Sequence, residues 1–111
     1  MPKESASTTT VVTDLREALP VTASATTSRA LVDNERVRLV AFAFDAGEQL
    51  SEHTAAMPAV LTLVDGAMRL DLDGGSYELG PGDCAYLPAH APHSLEAHAP
   101  SRLHLALLRE A

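Results

Sequence analysis

Apolar and polar residues alternate along most of this chain, and the alternation is cut into short runs by Gly, Pro, Asp and Asn. In Met68-Arg69-Leu70-Asp71-Leu72-Asp73 the Met and Leu positions fall on one side and the charged positions on the other. That period of two is the pattern of a half-buried strand. Ala59-Val60-Leu61-Thr62-Leu63-Val64 is apolar on nearly both sides, as is Val37 to Phe44, so each reads as a central strand wanting cover on both faces. Strands are predicted near 28–32, 36–44, 49–54, 59–64, 67–72, 76–79, 84–87, 93–97 and 102–108. Asp33-Asn34, Asp65-Gly66, Asp73-Gly74-Gly75 and Gly80-Pro81-Gly82-Asp83 supply turns, because Gly and Asn accept positive φ and Asp bonds nearby backbone donors. Many short strands with almost no helix predict an all-β sandwich or barrel.

The one helical signal is Asp14-Leu15-Arg16-Glu17, an N-cap candidate followed three residues later by Glu, which predicts a short helical turn ending before Pro20. Residues 1–13 are rich in Ser and Thr with little to bury, so they read as a flexible N-terminal segment, and residues 14–111 as a single domain. The chain's 111 residues suit one domain.

Charge narrows the partners. Eight Lys and Arg stand against 15 Asp and Glu, a net charge of −7. The cations are scattered, so no nucleic acid is expected as a ligand. No apolar run approaches the length of a membrane span, so no membrane partner is expected. The single Cys84 has no partner for an internal disulfide, and the first residues carry no apolar signal-like core, so the expected location is cytoplasmic. Cys84 itself reads as a small buried hydrophobe in a strand, with no assigned role.

Five histidines, His53, His90, His93, His98 and His104, are the chemistry to explain. Gly47 is followed after five residues by His53, and Gly66 comes beyond the next strand. Gly82, Pro88 and His93 repeat a spaced pattern later in the chain. These two motifs resemble those of the cupins, whose first motif runs G-x5-H-x-H, a Glu and a closing Gly, and whose second runs G-x5-P-x-G-x2-H-x3-N. The resemblance spans roughly residues 28–108. It implies a double-stranded β-helix, a jelly-roll barrel with its pocket inside, usually dimeric. The departures are specific. Ala55 occupies the second His position, Ala59 the Glu position, His90 a Gly position and Ala97 the Asn position. His90 is tolerable there because His visits positive φ more readily than most side chains.

Two imidazoles fall short of the three protein ligands of a catalytic zinc, or the two His and a carboxylate of a non-haem iron site. Glu52 and Glu96 have the wrong strand parity to complete a set, and His104, His98 or Glu48 are the remaining candidates for a third donor. Three readings therefore stand side by side for His53 and His93. They hold a divalent transition metal (Zn, Fe, Mn or Ni) with waters and a third side chain, they bond a small polar or anionic ligand directly, or they are structural. Tyr86, Met57 and Leu61 are expected to line the pocket with them. His98 reads as a solvated loop histidine. The functional expectation is a small homodimeric cupin that binds a small molecule in its barrel. The alternative is a metal-dependent dioxygenase, isomerase or decarboxylase, and the fold does not choose between them.

Overall fold

The structure, a computed structural model, describes residues 4–109, with the side chains of Ala18 and His53 excepted. Nine strands fall where the alternation places them: β1 (Thr26–Asp33), β2 (Val37–Phe44), β3 (Gln49–His53), β4 (Ala59–Asp65), β5 (Met68–Leu72), β6 (Gly75–Leu79), β7 (Cys84–Leu87), β8 (His93–Ala97) and β9 (Ser101–Leu108). They form two antiparallel sheets packed face to face. One is five-stranded in the order β1-β2-β9-β4-β7, and the other four-stranded in the order β3-β8-β5-β6. Apart from β1–β2 and β5–β6, strands adjacent in one sheet are remote in sequence, the jelly-roll arrangement of a double-stranded β-helix.

The core lies between the sheets. Leu61, Leu63, Leu103, Phe44 and Leu87 from the larger sheet meet Met68, Leu70, Leu95 and Ala97 from the smaller one. Each is the inward half of an alternating strand, as in Met68 and Leu70 against the half-exposed Arg69 and Asp71. Burial of this apolar set drives the two sheets together. β4 lies between β9 and β7, with Ala59, Leu61 and Leu63 buried inward and Val60, Thr62 and Val64 only half-buried on the outer face.

A four-residue helical turn, α1 (Leu15–Ala18), precedes the first strand as expected, but its start differs from a capping box. Asp14 takes a left-handed conformation (φ 55°) and makes no side-chain cap bond. Side-chain capping needs an extended N-cap backbone to aim the carboxylate at the following amides. Asp65, at the end of β4, holds this region in place instead. Its Oδ2 lies 3.3 Å from Arg16 Nε and 3.2 Å from Arg102 NH1, while Arg102 Nε donates to the Leu19 carbonyl at 3.3 Å. Nearer the start of the chain, the Glu4 amide donates to the Asp33 carbonyl at 2.9 Å, and the Ala6 amide to Glu35 Oε1 at 3.0 Å. Among the described residues no helix is long and apolar enough to cross a membrane.

Candidate functional site

The register of the four-stranded sheet sets the site. His93 on β8 is the Cα partner of His53 on β3 and of Leu72 on β5, and Leu72 in turn opposes Gly75 on β6. One row therefore crosses the sheet as Gly75, Leu72, His93 and His53. The two histidines named by the motifs reach this row through an irregularity in β3 between Leu50 and His53. The His53 side chain lies outside the described residues.

His93 shares its strand face with Leu95 and Ala97, so its ring points between the sheets, and the residue is only 6% exposed. Its Nδ1 lies 3.0 Å from the Ala91 carbonyl, an acceptor, so Nδ1 carries the proton in the neutral ring and Nε2 is the acceptor nitrogen. The loop that delivers His93 is pinned by its own backbone. His90 adopts φ 66°, the left-handed conformation expected at this motif position, and its amide donates to the Ala55 carbonyl at 2.7 Å. That bond ties the β7–β8 loop to the β3–β4 loop beside the row.

Below Leu72 the sheets part. A hollow of about 240 Å³ is lined by Leu70, Leu72, Tyr77, Leu79, Cys84 and Ala85. It opens between β6 and β7, the edge strands of the two sheets, which no ladder joins. Tyr77 stands at the mouth of this hollow and is 54% exposed. It is the partner of Leu70, and its hydroxyl lies 3.5 Å from where a Cβ on Gly75 would sit. The ring thus lies along the space left by the glycine at one end of the histidine row. Sequence reasoning missed Tyr77, although the Met68, Leu70, Leu72 alternation followed by the Asp73-Gly74 turn places it opposite Leu70. A second, acidic hollow of about 340 Å³, bordered by Glu52, Asp71, Leu72, Asp73, Gly74 and Pro92, lies at the same end of the sheet.

Several expected site residues stand elsewhere. Tyr86 alternates with the buried Leu87, pairs with Val60, and is 61% exposed on the outer face of the five-stranded sheet, so it does not reach the interior. Leu61 is sealed within the core with no exposed surface, and Met57 is half-buried in the loop before β4. Cys84 has the parity of Tyr86 and is exposed, not buried as its strand position suggested. His104 lies between Ala41 and Thr62, opposite in parity to the buried Leu103, and so occupies the outer face of the larger sheet. Burial there lowers its pKa below the usual 6.5. His98 is exposed and within 3.4 Å of Glu78.

These placements decide whether the donor set fits a transition metal. Ala55 and Ala59 stand at two of the four motif positions, and Ala59 is buried in the core. Of the third donors considered, His104 is on the wrong sheet face, His98 faces Glu78 and Glu96, and Glu48 accepts from Thr26 Oγ1 at 3.3 Å. Glu96 itself pairs with Arg69 at 3.2 Å. Among the described residues no three His, Cys, Asp or Glu side chains are grouped to share an ion. The described residues therefore assemble no three-ligand set of the usual kind.

Comparison with known proteins places this arrangement. A cupin-domain family model matches residues 40–108, which include both histidines and every strand but β1 and the start of β2. The chain belongs to the cupin family. A cupin-superfamily protein from Desulfitobacterium hafniense superposes with a TM-score of 0.82 at 23% identity, covering 86% of this chain and 88% of that one. A conserved protein of unknown function from Streptococcus pyogenes gives 0.82 at 24% identity, covering 91% and 89%. A variant of salicylate 1,2-dioxygenase from Pseudoaminobacter salicylatoxidans gives 0.71 at 20% identity, covering 82% of this chain and 28% of that one. At these identities the likeness is one of fold, and the fold hosts enzymes among its members. No curated protein matches the chain.

Proposed function

We propose that this cupin is a small-molecule-binding domain, in which His53 and His93 receive the polar end of a ligand inside the barrel without a resident metal. The observation that carries the reading is the register row, which sets the two histidine positions side by side on β3 and β8, next to the leucine that borders the interior hollow. The orientation of His93 supports it. With Nδ1 engaged by the Ala91 carbonyl, the ring is held in one orientation, facing between the sheets. A fixed, mostly buried imidazole of this kind binds a polar group without first being ordered.

Calorimetric titration of the parent and of the double variant His53→Ala/His93→Ala with small alcohols and carboxylates tests the proposal, alongside elemental analysis. Saturable binding lost in the variant, with less than stoichiometric metal in the parent, is the expected result. Stoichiometric transition metal, lost in the variant, would overturn the metal-free reading in favour of a metal-dependent enzyme. Unchanged binding in the variant would remove the histidines from the site.

The outer face of the five-stranded sheet supports a second element of the proposal, association as a homodimer. Val60 and Val64 are half-buried there, and Tyr86 and Leu108 are exposed beside them. A second copy of the chain would cover this face.

A further inference from the structure

The hollow between the sheets places its own demand on the ligand. Its wall is Leu70, Leu72, Leu79 and Ala85, and it is open to solvent at the seam where β6 and β7 part, beside the exposed Tyr77 and Cys84. Among the described residues no charged side chain lines it. A molecule carrying several hydroxyls would leave most of them without partners against this wall, an unfavourable burial. A large planar ring system has one aromatic neighbour there, Tyr77. At roughly 30 Å³ per water-sized group, a hollow of about 240 Å³ has room for about eight non-hydrogen atoms. Leu72 links this space to the histidines, because it lines the hollow and is the cross-strand partner of His93. A ligand whose head reaches His93 therefore lays its body along Leu72 and Leu70.

From this juxtaposition we infer that the occupant is a short aliphatic molecule of about six to eight non-hydrogen atoms with a single polar head, its chain in the Leu70–Leu79–Ala85 hollow. The inference rests on the binding role given above to His93. It makes Ala85 and Tyr77 determinants of ligand length. Ala85 sits on the wall opposite the leucines, so a larger side chain there shortens the space. Tyr77 borders the opening, and its ring fills the gap left at Gly75, so its removal lengthens the space.

Titration of the full chain with unbranched alkanols and alkanoates of three to ten carbons tests this. Affinity in at least one series should tighten about fourfold per added methylene, the factor equivalent to about 0.8 kcal/mol per buried CH₂, and level off near six or seven carbons. Ala85→Leu should move that plateau to shorter chains, and Tyr77→Ala to longer ones. Affinity independent of chain length in both series overturns the inference, as does a plateau that neither variant moves. If binding is flat with length yet lost in His93→Ala, the length inference fails while the histidine site stands. If His93→Ala leaves every titration unchanged, the head placement fails together with the proposed function.

Discussion

Gly66 offers the sharpest test of how the barrel is closed, because its substitution is opposed by two separate effects. Its φ is 99°, where an L side chain is strained, at about 1–2 kcal/mol. A Cβ at this position would also stand 2.2 Å from Ser101 Oγ, 2.6 Å from the Pro100 carbonyl oxygen and 2.6 Å from Ser101 Cα. Two of those atoms are backbone, so the β4–β5 turn and the start of β9 would have to separate, at a further cost of about 1–3 kcal/mol. Ser101 is fully buried, and its hydroxyl accepts from the Ala67 amide at 3.1 Å and donates to the Ala99 carbonyl at 2.7 Å, so displacement also threatens both bonds. Gly66→Ala should therefore lower stability by about 2–5 kcal/mol, a large share of the roughly 5–15 kcal/mol available to a domain. Gly47→Ala is the internal control. Its φ of 85° carries the same kind of strain, but nothing lies within 4 Å of the added Cβ, so about 1–2 kcal/mol is expected. Urea unfolding followed by circular dichroism reads both differences. Equal losses for the two variants would refute the close approach of the β4–β5 turn to Ser101.

Two further predictions concern pH and assembly. His104 resists protonation in the fold, so the unfolded chain binds a proton near pH 6.5 before the folded one does; stability is full above that pH and declines as pH falls below it. His104→Gln should reduce the loss of urea midpoint between pH 7.5 and 5.5, and a loss identical to the parent's would show that this imidazole is not responsible. Asp45, lowered by the Ser24 and Ala46 amides, and Asp71, lowered by the Ser76 hydroxyl, keep their contributions above the usual carboxylate pKa of 3.8 and lose them as pH falls further. By light scattering at micromolar concentration the chain should run as a dimer, and Tyr86→Glu should convert it to a folded monomer. A parent that is already monomeric contradicts the cover assigned to the outer face.

The architecture was legible because one face of each strand is buried and alternation records which one. Every strand expected from the pattern is present, with ends that move by no more than a few residues. The histidine row was legible only through motif spacing, since nothing in the alternation tells that β3 and β8 are neighbours. Tyr86 shows where the pattern misleads. A tyrosine in a short edge strand carries no mark of which face it takes, and the buried Leu87 beside it settles the parity. His104 was ambiguous for a similar reason, since an imidazole between leucines suits either a core or an outer face. Tyr77 carries no signal in the alternation, since it lies with Ser76 and Glu78 in an exposed run, and its closeness to Gly75 exists only in the folded strand.

The central claim is that His53 and His93 act together on one ligand, and imidazole nitrogen resonances report on it directly. In a ¹⁵N-histidine-labelled sample titrated with hexanol or hexanoate, the His53 and His93 ring signals should move together along a single binding curve, while those of His90, His98 and His104 stay in place. Movement of His98 or His104 with His93 unmoved would contradict the account.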